Sequence, residues 1–199
     1  MKRFLAALLP LLLLLAIPFL LRPKAEAKQL DGTADRLVII SAHNESIRYE
    51  YEQAFRKYYR ERFGREIELD FRAPGGTSDI VRYIADRFEA EFRRYYESDP
   101  ANGPWSAEIA DAFANPKIDT DPDASPAAKK ARRLFLESNV GIDIDLMAGG
   151  GTFDMARHAA RGFAVDGGAQ RRHPEYFRPE IIPQSFGGDQ LYDKNGRYY

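Results

Sequence analysis

Three short loops hold most of the chemistry-bearing residues of this chain. They are Ser41-Ala42-His43-Asn44-Glu45, Pro74-Gly75-Gly76-Thr77-Ser78 and Gly149-Gly150-Gly151-Thr152. Each stands between a strand-like and a helix-like stretch. A helix start offers unpaired backbone N–H groups and a partial positive charge, and glycine lets a ligand approach the backbone closely. Such loops suit a phosphate, a carboxylate or an anion chelating a metal. One loop of this kind does no more than cap its helix. Three loops opening at the same edge of a parallel sheet make a concave, donor-rich site, which is where open α/β sheets hold their ligands. The candidate ligand-binding residues are therefore Ser41, His43, Asn44, Glu45, Gly75, Gly76, Thr77, Ser78, Gly149, Gly150, Gly151 and Thr152.

Sharper motif readings of the same residues fail. The triple glycine lacks the Gly-Lys-Ser/Thr ending of a nucleotide-binding P-loop. It also lacks dinucleotide spacing, because Asp154 stands where the last glycine belongs. Ser185 follows Gln184 and lacks the first glycine of a nucleophile elbow. His43 and Glu45 are half of a metal site, which keeps an exported metal-dependent hydrolase as an alternative. His158 lies within a helical stretch and His173 in a proline-rich loop, neither with ligand-like spacing. The site is read as binding rather than catalytic, with no cofactor and no metal assigned.

The elements that must position these loops are set by hydrophobic periodicity. Leu37-Val38-Ile39-Ile40 is a continuous apolar run, suited to a strand buried on both faces. Ile47, Tyr51, Ala54, Phe55, Tyr58 and Phe63 recur at helical spacing, and Gly64 sits at a C-cap position, so a helix is expected over about 46–63. Ile67, Leu69 and Phe71 alternate with Glu68 and Asp70, which makes a second strand. Thr77 or Ser78 is expected to cap the next helix, with Asp79 in its first turn and Ile80, Ile84, Phe88 and Phe92 on its apolar stripe, running to about Tyr96. Residues 98–123, rich in proline and holding Trp105, read as an irregular insertion with one short helix around 107–114. Ser125-Pro126 then caps a helix over 127–138. Ile142, Ile144 and Leu146 alternate with Asp143 and Asp145, a third strand. Thr152 is expected to cap a helix over 153–160 that ends at Arg161-Gly162. Pro174, Pro179 and Pro183 keep the chain beyond that helix extended or looped. Asp193-Lys194-Asn195-Gly196 signals a tight turn leading into a strand at Arg197-Tyr198-Tyr199.

Met1-Lys2-Arg3, the leucine-rich stretch Phe4–Leu21 and the small-residue pattern Ala25-Glu26-Ala27 read as a signal peptide over 1–27. An uncleaved membrane anchor, carrying a sensor module, is the alternative. Residues 28–36 are a flexible lead-in. The full chain of 199 residues has a formal charge of −1. Residues 1–27 carry a net +3 through Lys2, Arg3, Arg22, Lys24 and Glu26, which leaves −4 for the remainder. An acidic balance gives nucleic-acid binding no electrostatic support. Without cysteine there is no disulfide framework and no lipid-bearing cysteine after the signal.

The order and spacing of these parts resemble the first lobe of the extracellular solute-binding proteins of bacterial ABC transporters, nearest to those of the iron(III), polyamine and phosphonate type. Residues 37–45 resemble the family's first strand and ligand loop, 67–78 its second, and 144–154 its third; Arg161-Gly162-Phe163 resembles the small turn after the third helix. The resemblance spans about 37–163. It implies a periplasmic-binding-protein-like α/β lobe, with a mostly parallel sheet flanked by helices. It further implies capture of a small polar or anionic solute between two lobes, a periplasmic location, a monomer, and a permease of the inner membrane as partner. A two-lobe member needs about twice this length, so the expectation is a single first lobe over 37–199, with an insertion at about 98–137 and an incomplete C-terminal part. In iron-binding members a histidine of the first loop is a ligand, and His43 stands there. The acidic ligand after the third strand is replaced by Gly149–Gly151, so iron is not assigned.

Overall fold

β1 (Asp35–Ser41) is the central strand of a three-stranded sheet. In the computed structural model, which describes residues 34–192, β2 (Ile67–Arg72) pairs with it in parallel from Asp35↔Ile67 to Ile40↔Arg72. On its other side β3 (Leu146–Ala148) pairs in parallel from Ile39↔Leu146 to Ser41↔Ala148. The protein is thus mixed α/β, with a parallel sheet of order β2-β1-β3 flanked by helices. The signal peptide, the 193–196 turn and the terminal strand lie outside the described residues. Among the described residues no helix is long and apolar enough to cross a membrane.

The apolar run of β1 behaves as a doubly buried strand must, with successive side chains pointing to opposite faces. Ile39 joins Ile67 and Leu69 on one face, where Phe55 and Tyr59 cover them. These two aromatics belong to α1 (Glu45–Phe63), which connects β1 to β2. Ile40 joins Ile80 and Ile84 on the other face. Those residues lie on α2 (Thr77–Glu97), whose stripe Ile80, Ile84, Phe88, Phe92 and Tyr96 is buried throughout. β1 connects to β2 on one side, and the chain then returns from β2 past β1 to β3 on the other side, so the two connections run in opposite directions. Crossovers of one hand then place their helices on opposite faces.

The stretch 98–137 is ordered and packs into the larger core. It folds into α3 (Ala107–Ala112), two short 3₁₀ turns at Pro100–Asn102 and Pro116–Asp119, and α4 (Pro126–Glu137). Ile109, Phe113, Ala131 and Phe135 from this stretch complete the larger core. Phe92, fully buried, stacks on Phe113 at 5.1 Å and meets Phe135 edge-on at 5.2 Å. Trp105 packs edge-on to Phe92 and Tyr96. Tyr96 Oη donates to the Asn102 carbonyl at 2.7 Å, tying the start of the stretch to the end of α2. The prolines broke helical periodicity in the sequence, and the 3₁₀ turns are how the chain accommodates them.

α5 (Thr152–Arg161) follows β3 and closes on Gly162 in the left-handed conformation. A short α6 (Ala169–Arg172), a 3₁₀ turn at Pro174–Tyr176 and a small hairpin, β4 (Ser185–Phe186) and β5 (Asp189–Gln190), complete the described chain. The sequence offered only loop there, because four residues carry no periodicity.

Three boundary expectations are corrected. Asp35 and Arg36 are not lead-in but part of β1, where Asp35 N–H bonds the Glu66 carbonyl at 3.0 Å and Tyr59 Oη donates to the Asp35 carboxylate at 2.6 Å. The alternating run from Ile142 is not the strand; the ladder begins only at Leu146. Asp143 has φ of 55°, which breaks the extended path, and Asp145 Oδ2 accepts the Val38 N–H at 2.8 Å in place of a ladder carbonyl. Ile142 and Ile144 still point into the larger core, so the alternation recorded burial rather than strand pairing. Finally, glycines hold the N-caps assigned to Thr77, Ser78 and Thr152. Gly76 precedes α2 and Gly151 precedes α5, each in extended backbone.

Candidate functional site

All three strands run parallel, so the loops after β1, β2 and β3 emerge at one edge. After β1 the chain leaves toward β2, whereas β3 lies on the opposite flank. The seam between β1 and β3 is therefore the point where connections diverge, the usual crevice for ligands in such sheets. Gly149 and His43 meet at this seam. A Cβ on Gly149 would lie 2.9 Å from His43 Cε1 and 3.2 Å from its Nδ1, closer than side-chain atoms pack. With φ of 99° at the same residue, only glycine fits. Gly150, with φ of 92°, brings in the loop after β2: a Cβ there would lie 3.7 Å from Thr77 Cγ2 and 3.7 Å from Asp154 Oδ2. The structure thus draws His43, Thr77, Gly149 and Gly150 together from three separate loops.

Ser41 sits behind this group. It is buried at the end of β1, and its Oγ lies 2.9 Å from His43 Nδ1 while accepting the His43 backbone N–H at 3.2 Å. That pair of contacts fixes the ring and leaves Nε2 as the imidazole's remaining polar atom. Tyr51, in the second turn of α1, packs edge-on to the ring at 6.2 Å. The sequence placed Tyr51 only on a helical stripe. Its position on the first turns of the helix after His43 is the signal that could have found it.

Other candidates serve different ends. Asn44 is the N-cap of α1, and its Oδ1 accepts from Ile47 N–H at 3.0 Å and from Ser46 Oγ at 3.1 Å. Glu45 opens α1 and lines a groove on the β2 side with Arg48, Leu69 and Phe71. Ser78 is exposed in the first turn of α2. Gly75 and Gly76 wrap the carboxylate of Asp79: Asp79 Oδ2 accepts the Gly76 N–H at 3.0 Å, and a Cβ on Gly75 would collide with it. Asp79 also pairs with Arg82. The Arg82 contact first, and the Gly76 N–H second, hold its carboxyl below the ordinary range. The start of α2 is thus already occupied by a carboxylate of its own third residue, the position where an acidic side chain returns to the cap.

A cleft of about 720 Å³ flanks the glycine loop. Gly149, Gly150 and Gly151 form one wall with Met147 and Met155, and Asp189, Gln190 and Leu191 of the C-terminal hairpin form the other. Among the described residues no lysine or arginine lines it. Asp154 beside Gly150 and Asp189 across the cleft are the acidic groups at this rim. Neither was singled out from the sequence; Asp154 occupies the third position of α5 just as Asp79 does in α2. Among the described residues no group of three or more His, Asp or Glu side chains is placed to hold a metal ion.

Comparison of the chain with protein-family models, with curated proteins and with solved structures returns no match.

Proposed function

We propose that this chain is a solute-binding module that seats a small polar molecule at the β1/β3 seam, in the manner of the first lobe of an exported binding protein serving an ABC importer. The observation that carries this reading is the meeting of three loops: His43 against Gly149, and Thr77 against Gly150, beside a cleft walled by glycine backbone. Exposed amides, one imidazole nitrogen and one threonine are groups that hold a solute by hydrogen bonds. The one hydroxyl held against the imidazole, Ser41 Oγ, is buried behind the ring and out of reach of a solute. Binding without turnover, export to the periplasm and delivery to a permease belong to the same proposal.

The charge at the rim narrows the solute. Asp79 fills one helix start, Asp154 stands beside Gly150, and Asp189 lines the cleft, with no lysine or arginine among the described lining residues. A carboxylate or phosphate would meet like charge there, whereas a neutral polyol or an amine would not. The solute is therefore polar and neutral or cationic rather than anionic. A metal-dependent hydrolase built on His43 and Glu45 gains no support, because the two residues face different grooves: His43 meets Gly149 beside β3, and Glu45 lines the groove over β2.

Titration calorimetry of the full chain with glucose, spermidine and inorganic phosphate tests the reading. Binding of glucose or spermidine over phosphate is expected, and His43→Ala and Thr77→Val are each expected to weaken it about tenfold, the loss of one desolvated hydrogen bond. Absence of heat with all three probes, or affinities indifferent to both substitutions, would overturn it.

A further inference from the structure

A second pocket lies behind the sheet, on the side of α2, α4 and α5, and it uses none of His43, Thr77 or the glycines of the third loop. Its volume is about 620 Å³, within the range of small-molecule sites. Ile84, Phe88, Phe135, Ile144, Met155 and Phe163 supply apolar walls. Phe88 and Phe163 stack at 4.5 Å and Phe135 meets Phe163 edge-on at 6.0 Å, so one side is a fixed aromatic surface. The two methionines of the lining, Met147 and Met155, are the adaptable part. Leu136, Leu146 and Val165 also line the pocket and are 50%, 48% and 90% exposed, which marks its mouth as apolar too.

One polar side chain in this lining is out of place. His158 is only 2% exposed, and neither ring nitrogen has a hydrogen-bond partner. A buried polar group without a partner is rare in a folded protein and calls for a reason. Packing alone does not supply one, because leucine or phenylalanine would fill the same wall without the unpaired nitrogens. Burial, with Arg161 second, holds the imidazole below its ordinary pKa, so it is neutral near pH 7 and carries one donor and one acceptor. Among the described residues the lining contains no lysine or arginine, and Asp145 stands in its wall. Arg161 lies over the Phe163 ring at 4.6 Å and is not among the lining residues, so a carboxylate or phosphate would meet Asp145 with no cation in the lining itself.

We infer that this pocket binds a small neutral molecule, aromatic or aliphatic in the main, that carries one hydroxyl group, with His158 as the hydrogen-bond partner of that hydroxyl. A hydroxyl both donates and accepts, so it matches a neutral imidazole in either tautomer. The ring borders the pocket, and its broad χ2 well lets it turn a nitrogen inward as the ligand enters. The apolar walls exclude sugars and other polyols, whose further hydroxyls would go unpaired. This second site stands whether or not the rim binds a solute.

The test pairs 4-ethylphenol with 4-ethyltoluene, which places a methyl where the phenol has its hydroxyl. Both are titrated into the full chain, and the imidazole ¹⁵N resonances of its three histidines are recorded. The phenol is expected to bind about fivefold tighter than the toluene, one net hydrogen bond's worth. It is also expected to shift the His158 nitrogens, while 4-ethyltoluene leaves them in place. In His158→Phe the preference should reverse, because the phenol's hydroxyl would go unpaired against the apolar walls. Failure of both ligands to bind, equal affinities in the unaltered protein, or shifts confined to His43 and His173 would overturn the proposal. Should His158→Phe not fold, the ¹⁵N spectra of the unaltered protein decide the matter by themselves.

Discussion

At the scale of single residues, the chain separates side chains that hold the backbone from side chains left for a ligand. Asn44 and Asp79 resemble each other in the sequence, each polar and next to a helix start. Both are consumed by backbone N–H groups, at Ile47 and Gly76 respectively. His43 and His158 divide differently. His43 is anchored through Nδ1 by Ser41, whereas His158 has no anchor and no solvent. The second arrangement has a consequence for stability. The pKa of His158 in the folded state lies below its ordinary 6.5, chiefly through burial, with Arg161 and Arg157 adding to the effect and Asp154 opposing it. Below pH 6.5 the unfolded chain takes up a proton that the folded chain refuses, so stability falls as the solution is acidified. The fall ends once pH drops through the folded-state pKa. Urea midpoints measured at about pH 7.5 and about pH 5.5, on either side of the unfolded-state pKa, should therefore differ more in the unaltered protein than in His158→Phe. Equal differences would remove His158 as the cause.

At the scale of elements, the least expected result is how the 98–137 stretch is bound to the rest. Arg132 on α4 is 4% exposed and reaches three elements. Its guanidinium donates to the carbonyls of Ala160 and Arg161 at 2.9 and 2.7 Å, closing the last turn of α5. It also donates to the Phe113 carbonyl at 3.3 Å and pairs with Asp119 at 3.2 Å. A cation is favoured at a helix C-terminus, and the fork geometry of arginine lets one side chain serve several carbonyls. Arg132→Met keeps the apolar stem but leaves these carbonyls unpaired. The expected destabilisation is about 3 kcal/mol, read from chemical denaturation, with loss of less than about 1 kcal/mol counting against this role. Gly162 belongs to the same junction: its φ of 86° is the left-handed conformation that favours glycine, and a Cβ there would also press on Leu136 of α4 at 2.8 Å.

At the scale of the whole molecule, the two faces of the sheet are unequally covered. The face of α2, α3, α4 and α5 carries the large aromatic core. The opposite face is covered by α1, which has no fully buried residue and exposes Tyr49, Tyr51 and Phe63 by more than half. Helical stability in a protein comes mostly from packing of the apolar face, so α1 should open independently of the rest. Native-state hydrogen exchange is expected to show α1 amides exchanging well before those around Phe88 and Phe92 of α2. Matching protection in the two helices would contradict that order. The proposed binding seam draws His43 from the loop before the weakly held helix and its glycines from the loop before α5. Opening of α1 would thus loosen the His43 side of the site first.

Local chemistry settled much of this in advance. The doubly buried strand at 37–40, the helices ending at Gly64 and Gly162, and the Ser125-Pro126 start of α4 are products of periodicity and capping, which act between residues near in sequence. The three polar loops were legible for the same reason, since each is a break between two periodic stretches. The remainder depends on residues far apart. Which of twelve loop residues meet was decided by strand order: with β1 between β2 and β3, His43 is brought against Gly149 and Thr77 against Gly150, while Asn44 and Glu45 turn to other tasks. Asp145 capping the Val38 N–H shortened a strand that alternation had extended, and Arg132 bound together segments with no local signal between them. Periodicity records which side of an element is dry; only the assembled sheet fixes which polar atoms still have a partner.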